Sequence, residues 1–136
     1  MITYRRGNDL PIAVLRDLYH ASTLGARRPI DDDARFASMF ANANLVITAW
    51  DGDLLVGIAR AMSDFAHYTY LADLAVRVSH QKSGLGRELI AQVRAAHGEH
   101  TNLVLLSAPA AMEYYPKVGF TNVPTAFVIK AGEPLR

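Results

Sequence analysis

The sequence predicts a single α/β domain with a mixed, mostly antiparallel sheet flanked by helices. Its 136 residues are about the length of one domain. Residues 45–50 and 54–62 are β-rich runs joined through Asp51-Gly52, a dipeptide typical of tight hairpins. Residues 84–96 repeat apolar side chains at helical spacing and precede the apolar run 103–107. This order indicates antiparallel strands followed by alternating helix and strand.

Composition argues against several classes of protein. An apolar fraction of 51% and a charged fraction of 20% indicate a globular chain. Fourteen Lys and Arg against thirteen Asp and Glu give a net charge of +1, so no broad positive field is available for nucleic acid or an anionic membrane. The absence of cysteine excludes disulfides, thiolate zinc sites and a cysteine nucleophile. We therefore expect no nucleic acid and no membrane among its partners.

The sequence contains no pattern typical of a membrane span or a leader. The longest apolar runs, residues 45–50 and 103–108, are far shorter than the roughly 18–20 residues that cross a bilayer. Arg5 and Arg6 near the start are not followed by an apolar segment. We expect a soluble, unprocessed, cytoplasmic protein.

The first third of the chain predicts one strand and two helices. Residues 2–5 alternate like a strand, and Asp9 is placed to cap a helix beginning near Leu10 and ending at residues 22–25. The aspartates at 31–33 are expected at the start of the second helix, where the helix dipole favours negative charge.

The later elements follow from turn signals and apolar runs. In the hairpin both central residues, Asp51 and Gly52, are expected at positive φ. Residues 68–78 predict a third long strand after a turn at 63–67. The run 54–62 is long and contains no proline, which predicts a central rather than an edge strand. Gly98 is expected to end the long helix. The remaining predictions are a strand at 103–107 buried on both faces, a short helix at 109–115 and a last strand at 126–130.

A strand-to-helix turn at residues 76–89 is the most informative segment. Such a turn presents unpaired backbone N–H groups and the helix dipole to an anion. The dinucleotide fingerprint needs a third glycine where Leu89 stands, and the phosphate loop needs Gly-Lys-Ser/Thr, so both motifs fail. An ordinary strand-to-helix turn is the alternative interpretation.

The spacing Gln81-x-x-Gly84-x-Gly86 resembles the acetyl-CoA signature of the GCN5-related N-acetyltransferase (GNAT) superfamily. Residues 74–76 are similar to the family's fourth-strand segment, and residues 115–120 match its Tyr-x-Lys-x-Gly-Phe ending. Ala111 matches the alanine often found four residues before that tyrosine. The order of elements is also the family's, so the resemblance covers nearly the whole chain, residues 1–136, as one N-acetyltransferase domain.

The resemblance implies a GNAT-like fold whose sheet splays in its middle, and acetyl transfer from acetyl-CoA to a primary amine by direct attack in a ternary complex. Arg77, Lys82 and Arg87 are the cations best placed for CoA phosphates. Ser107 could replace the Asn or Ser that many relatives carry where Ala108 stands. The implied cofactor-binding residues are Leu74, Ala75, Val76, Gln81, Lys82, Ser83, Gly84, Leu85, Gly86, Arg87 and Ser107.

Two residues are candidates for catalysis. By resemblance Tyr115 is the acid that protonates the departing thiolate; its alternative role is a core aromatic. Pro116 stands where the family often has an acidic residue, and we expect the short helix to end beside Tyr115. Asp73 lies in an apolar strand, where an unpaired carboxylate would have a raised pKa, so it is a candidate base or anchor for the substrate ammonium. Its alternative role is a structural acceptor for backbone or tyrosine donors.

The turn between the third and fourth strands supplies a candidate acceptor pocket. An aromatic and acidic pocket there would suit a small cationic amine through cation–π contact, although core packing explains the same aromatics. The candidate substrate-binding residues are Asp64, Phe65, Tyr68 and Tyr70, with Tyr4, Tyr19 and Phe36 on the other side.

The sequence also allows other sites and functions. His97 and His100 have metal-ligand spacing, but Gly98 separates them and no third ligand is near, so we expect a solvated helix end and no metal. Ala108 and Pro116 also fit a non-catalytic acyl-CoA-binding regulatory module. Acetylation of a protein or aminoacyl-tRNA is a third possibility, which the near-neutral charge disfavours for tRNA. The resemblance also allows a homodimer.

Overall fold

A computed structural model describes residues 1–136 as two compact units, Met1–Leu106 and Ser107–Arg136. The larger unit holds all five strands and the three longer helices. In chain order its elements are β1 (Ile2–Arg6), α1 (Ile12–Ala21), α2 (Asp33–Ala41), β2 (Leu45–Asp51), β3 (Leu54–Ser63), β4 (Tyr68–Val76), α3 (Leu85–His97) and β5 (Asn102–Leu105), with 3-10 turns at Leu24–Arg27 and Val78–His80. The smaller unit holds a 3-10 turn, Pro109–Ala111, and α4 (Tyr114–Lys117).

The sheet has the order β1-β2-β3-β4-β5. The first three pairs are antiparallel, and β4 pairs with β5 in parallel. This arrangement confirms the predicted α/β class, the mixed, mostly antiparallel sheet and the central position of β3.

The helices cover both faces of this sheet. Gly57 and Ile58 are neighbours on β3, so they point to opposite faces. Ile58 packs in the core formed with α1 and α2. On the other face, a Cβ at Gly57 would lie 2.8 Å from Leu85 Cδ2 and 3.0 Å from Leu89 Cδ1. A side chain at position 57 would therefore press on Leu85 and Leu89, so the glycine lets the start of α3 pack closely on β3.

An aromatic cluster joins α1 to α2. The rings of Tyr19, Phe36 and Phe40 meet edge to face, with centroids 5.2 to 5.9 Å apart. All three side chains are buried. Edge-to-face pairs contribute beyond their buried area, so this cluster anchors the helical layer that faces Ile58.

The helix starts match the sequence at one position and differ at another. Asp32 caps α2 by accepting a hydrogen bond from the Arg35 N–H at 3.2 Å, as the acidic triplet predicts. The expected Asp9 cap is wrong, because α1 begins at Ile12 and Pro11 occupies the N-cap position. Asp9 precedes that position by two residues, and no side chain caps α1.

The hairpin between β2 and β3 forms one residue later than expected. Asp51 pairs with Leu54, so the central residues are Gly52 and Asp53. Of the two, only Gly52 has a positive φ, 60°. A two-residue turn that begins with glycine needs positive φ at its first central position alone, which explains why Asp51 stays in the strand.

Strand β5 is shorter and more exposed than the apolar run predicts. It spans Asn102–Leu105 rather than residues 103–107, and none of its residues is buried. It lies at the edge of the sheet and pairs only with β4, over four residues. The expectation of a strand buried on both faces is therefore wrong. Gly98 does end α3, with φ 95°.

The smaller unit departs furthest from expectation. The helix predicted at 109–115 is divided in two, and α4 continues through Pro116 because a proline in the first turn of a helix removes an N–H that has no partner there. The strand expected at 126–130 is absent: Lys130 and Glu133 form a turn, and Phe127 is 94% exposed. High β-propensity makes a strand only where a neighbouring strand pairs with it.

No helix combines the length and the apolar character that crossing a bilayer requires.

Candidate functional site

The loop between β4 and α3 has an unusual backbone. Lys82 and Gly84 both take positive φ, at 62° and 82°. Gly84 is the N-cap of α3 and provides no side-chain cap. A Cβ added there would meet nothing within 4 Å, so the space beside this glycine is open. The loop therefore leaves the start of α3 accessible.

The same loop presents a row of unpaired backbone donors. The six consecutive N–H groups of residues 82–87 donate to no protein acceptor, and the first paired N–H is that of Glu88, which donates to the Gly84 carbonyl at 3.0 Å. The positive end of the α3 dipole adds to these donors. Convergent N–H groups at a helix start bind phosphate and other anions. Residues 82–87 are called the amide cradle below.

Side chains beside the amide cradle fix its shape. Gln81 Nε2 donates to the Val76 carbonyl at 2.9 Å, and Ser83 Oγ donates to the His80 carbonyl at 2.5 Å. His80 Nε2 lies 2.9 Å from Asp51 Oδ2, which ties the loop to the sheet. The side chains of Gln81 and Ser83 are thus engaged by backbone carbonyls. The Gln81 N–H also donates to the Val78 carbonyl at 3.3 Å, so of these two residues only Ser83 offers a backbone N–H to an anion.

The three cations expected near CoA phosphates differ in their surroundings. Arg77 Nη2 donates to Asp17 at 2.7 Å and to the Leu55 carbonyl at 2.9 Å, so its guanidinium is held by protein acceptors. Lys82 and Arg87 are exposed and make no ion pair with another residue. Only the latter two remain available to an approaching phosphate.

A bulge interrupts β4 where the sheet opens. Arg60 pairs with Asp73 and the next residue of β3, Ala61, pairs with Leu71, so Ala72 is the extra residue. The parallel pairing between β4 and β5 ends at Leu71, immediately before the bulge. From Ala72 to Val76 no strand pairs with that edge of β4. Bulges bend a strand and end pairing, which accounts for the end of β4–β5 pairing at this point.

Asp73 lies beside the bulge at the centre of a buried polar network. Its side chain is fully buried, and it accepts three hydrogen bonds. Arg28 Nε donates to Oδ1 at 2.6 Å, and Oδ2 receives Arg60 Nε and the Tyr19 hydroxyl, each at 2.7 Å. Arg28 also donates through Nη2 to the carbonyl of Ala72 at 3.0 Å. One guanidinium therefore holds both the carboxylate and the bulge.

The charge state of Asp73 follows from these partners. Burial alone would raise the pKa of Asp73, but the hydrogen bond and charge of Arg60, with the charge of Arg28, lower the pKa below its ordinary value. Burial and the Asp73 carboxylate raise the pKa of Tyr19 well above its ordinary value. Asp73 is therefore paired and its pKa is lowered, and its contact with the Tyr19 hydroxyl is the one that the structural alternative describes.

The sequence identified Asp73 but missed Arg28 and Arg60 as its partners. A buried carboxylate is rarely tolerated without a cation. Arg60 stands inside the apolar run of β3, and this is the signal that would have found the pair. Tyr19, expected on a pocket wall, instead donates its hydroxyl to the network.

The four candidate substrate residues lie in and just after the turn between β3 and β4, and their side chains differ in environment. Asp64 Oδ1 accepts the backbone N–H groups of Ala66, His67 and Tyr68 at 2.8 to 3.1 Å, and these bonds lower the pKa of Asp64. This carboxylate therefore stabilises the turn. Phe65, Tyr68 and Tyr70 keep exposed rings, as a binding surface requires.

Tyr115 and Ser107 belong to the smaller unit. The Tyr115 ring packs edge to face against Tyr114 and Phe120, with centroids 5.3 and 5.4 Å away. Burial and the neighbouring Tyr114 raise the pKa of Tyr115. Its hydroxyl is therefore protonated at neutral pH. Ser107 Oγ donates to the Ala108 carbonyl at 2.8 Å.

The two histidines near the end of α3 differ in environment. His97 is buried, against the expectation of a solvated helix end, and its Nδ1 lies 2.7 Å from Thr69 Oγ1. Burial, with the charge of Arg94, lowers the pKa of His97. His100 is exposed, as expected. No group of three or more His, Cys, Asp or Glu side chains is arranged to hold a metal ion.

Solved structures share this fold at low sequence identity. A GNAT-family acetyltransferase from Streptococcus pneumoniae TIGR4 superposes with a TM-score of 0.70 at 21% identity, over 96% of this chain and 99% of that one. AAC(6')-Iy in complex with the bisubstrate analogue CoA-S-monomethyl-acetylneamine gives 0.71 at 15% identity, over 96% and 97%. An aminoglycoside acetyltransferase from an uncultured soil metagenomic sample gives 0.66 at 19%, over 96% and 98%.

Sequence comparison gives the family directly. No curated protein matches the chain. The family model described as "Acetyltransferase (GNAT) domain" matches residues 25–133, which include the bulged strand, the amide cradle and Tyr115. This match extends over most of the chain, and the solved structures agree with it in fold. The chain therefore belongs to the GNAT family of acetyltransferases.

Proposed function

We propose that this protein transfers an acetyl group from acetyl-CoA to a primary amine of a small molecule, by direct attack in a ternary complex. The observation that carries the proposal is the amide cradle, whose six unpaired N–H groups follow a strand edge left without a partner beyond Leu71. The bisubstrate analogue bound by AAC(6')-Iy joins CoA to an acetylated amine, which supports the same reaction class.

Two groups of backbone atoms suit acetyl-CoA. The N–H groups of residues 82–87 can hold a pyrophosphate, and Lys82 and Arg87 add positive charge beside them. The unpaired edge of β4, which carries Leu74, Ala75 and Val76, offers backbone groups to the amides of a pantetheine arm. Acetyl-CoA supplies the activated acetyl group, and binding its remote parts would position the thioester.

Tyr115 is proposed as the acid. In the overall change the amine nitrogen bonds to the acetyl carbon, the carbon–sulfur bond breaks, and the amine loses a proton while sulfur gains one. A tyrosine with a raised pKa retains its proton until a strong base such as a thiolate forms beside it. A backbone N–H of β4 beyond the bulge is proposed to donate to the carbonyl oxygen as negative charge develops.

Asp73 is proposed as a positioning residue rather than as the base. A carboxylate with a lowered pKa that accepts hydrogen bonds from two guanidinium groups is a weak proton acceptor at neutral pH. Through Arg28 it instead holds the bulge at Ala72, where the sheet begins to splay. Ser107, Asp64, Phe65, Tyr68 and Tyr70 remain proposed contacts for cofactor or acceptor, with Asp64 acting through the turn that it stabilises.

The direct test mixes purified protein, acetyl-CoA and a panel of primary amines, and follows free thiol together with the mass of the acetylated amine. We expect both signals to rise together for a subset of amines. Thiol release without an acetylated amine, or no product from any amine in a protein that binds acetyl-CoA, would contradict transfer and favour a non-catalytic acyl-CoA-binding module.

A further inference from the structure

A groove lies between α2 and β3 on the face of the sheet that carries the aromatic cluster. Its volume is about 340 Å³, within the range of small-molecule sites. It contains two guanidinium groups and two thioethers but no carboxylate. The lining residues are Arg35, Ser38, Met39 and Asn42 from α2, and Arg60 and Met62 from β3.

Arg60 lines this groove with a positively charged and largely buried side chain. Its Nε donates to Asp73, and its Nη1 donates to the Met39 carbonyl at 3.1 Å. The guanidinium also hydrogen-bonds with the Tyr19 side chain, and the Arg60 side chain is 9% exposed. Because Arg60 is a lining residue, its side chain contributes positive charge to the groove.

The buried network behind the groove carries excess positive charge. Arg28 and Arg60 contribute two positive charges and Asp73 one negative charge, which leaves one positive charge. Tyr19 does not compensate for it, because its pKa is raised and its hydroxyl is neutral. Partly buried charges without counter-ions are costly, so this cluster favours a bound anion.

The other charged groups near the groove do not neutralise it. Arg35 makes no ion pair with another residue and adds a second uncompensated cation. Asp32 caps the start of α2 through the Arg35 N–H, and Asp33 pairs with Arg16. The groove therefore has a positive charge that the surrounding helix and strand leave unbalanced.

We infer that this groove binds a carboxylate of the acceptor, so that the acceptor is an amine that also carries an acidic group. The fork of Arg35 has no protein partner and can bind a carboxylate in paired hydrogen bonds, with the charge of Arg60 beside it. The thioethers of Met39 and Met62 suit an aliphatic chain between acid and amine. The inference rests on the proposed function.

Two features of the fold separate the groove from the amide cradle and place it toward an acceptor. Arg60 and Gly57 are an odd number of residues apart on β3, so the groove lies on the face opposite the one on which α3 packs. Arg60 also bonds directly to Asp73, next to the bulge in β4. A carboxylate at Arg60 would thus be bound across the sheet from the CoA phosphates, near the strand that binds the thioester.

The test titrates glutarate and its neutral analogue glutaramide into the full-length protein by calorimetry, with and without CoA. We expect glutarate to bind at least tenfold more tightly than glutaramide, with an affinity that falls as salt is added. CoA should leave glutarate affinity unchanged within twofold. Equal affinity for the two probes, no binding of glutarate, or its displacement by CoA would each overturn the inference, the last because the groove would then bind a CoA phosphate.

Variants separate charge from bulk. Ser38→Glu places a carboxylate in the groove, and Ser38→Gln adds the same bulk without the charge. We expect Ser38→Glu to weaken glutarate binding at least fivefold more than Ser38→Gln does. Arg35→Gln should weaken it at least threefold, while Arg94→Gln, which removes an exposed arginine on the far face at α3, should not. Identical losses from the two Ser38 variants would contradict a charged site.

An activity readout distinguishes failure of this inference from failure of the proposed function. If 4-aminobutyrate and 4-aminobutanamide are acetylated with equal kcat/KM, acetyl transfer holds and the carboxylate site is refuted. If CoA does not bind but glutarate still prefers the wild-type groove, the proposed function fails and the anion site stands. A preference of at least tenfold in kcat/KM for the acid, lost in Arg35→Gln, supports both.

Discussion

Arg28 lies 2.6 Å from Asp73 through its Nε, and the same side chain donates to the carbonyl of the preceding residue, the extra residue of the β4 bulge. A buried ion pair of this kind contributes little net stability, because desolvation offsets the attraction. Its main effect is to fix the position of the β4 backbone. It holds β4 at the bulge, where pairing with β5 ends.

Asp73→Asn tests this role. The substitution removes the only negative charge between two guanidinium groups, so we expect the free energy of unfolding to fall by about 3–5 kcal/mol, the usual cost of breaking a buried pair. Chemical denaturation measures this change. Wild-type stability in this variant would contradict the buried ion pair. A base role predicts in addition that the variant loses the acidic limb of the pH–rate profile.

The pH dependence of stability follows from the same group. The folded pKa of Asp73 is lowered below its unfolded value of about 3.9, so its contribution is fully present above that value and is lost as pH falls through the folded pKa. The stability gap between wild type and Asp73→Asn should therefore be constant from pH 8 to 5 and shrink below pH 4. A gap that grows on acidification would refute the lowered pKa.

Gly57→Ala tests the contact between α3 and the sheet. The new Cβ would lie 2.8 Å from Leu85 Cδ2, so we expect a loss of about 1–3 kcal/mol of stability and weaker CoA binding as the start of α3 moves. Leu85→Ala removes the side-chain atom that the new Cβ would meet. In a double-mutant cycle, Gly57→Ala should cost less in the Leu85→Ala background; additive losses would show that the clash is absent.

Gly84→Ala tests the amide cradle. The residue has φ 82°, which an L side chain adopts at a cost of about 1–2 kcal/mol. We expect the free loop of the variant to relax from this φ, so that restoring the cradle on binding lowers CoA affinity roughly five- to thirtyfold. Gly132→Ala is the matched control, because Gly132 has φ 86° and equally open space but lies outside the cradle. Calorimetric titration of both variants should show the loss only at Gly84. Equal affinities would exclude the cradle as the phosphate site.

Tyr115→Phe tests the proposed acid. We expect kcat to fall about 10²- to 10⁴-fold with CoA affinity unchanged, since only proton donation is removed. The pKa of Tyr115 is raised, so the wild-type kcat should show no alkaline loss from this group until above the ordinary tyrosine value. Tyr114→Phe is the neighbouring control. A Tyr115→Phe variant with wild-type kcat would assign the proton donor elsewhere.

Local signals predicted much of the larger unit. The Asp-Gly dipeptide located the hairpin, apolar repeats located α3, and the long proline-free run located the central strand. Residues 126–130 show why the rest was not predictable. Their β-propensity is high, but a strand depends on a partner that local sequence does not specify. Asp9 similarly has the right chemistry for a cap at a position that Pro11 fills.

The candidate site divides in the same way. The amide cradle is predictable from its glycine spacing, because positive φ and unpaired N–H groups depend on residues adjacent in the sequence. The partners of Asp73 cannot, since Tyr19, Arg28 and Arg60 come from three separate segments that only the tertiary fold brings together. The sequence therefore indicated a costly carboxylate without showing the cations that stabilise it.

The most direct test of acetyl-CoA binding is a calorimetric and thermal-shift titration of the wild-type protein with acetyl-CoA, CoA and ATP. The amide cradle together with the unpaired edge of β4 predicts saturable binding and a raised Tm with acetyl-CoA and CoA, and little response to ATP, which lacks the pantetheine arm. A folded protein that responds to none of the three, or equally to all, would contradict a pantetheine site between the bulge and α3.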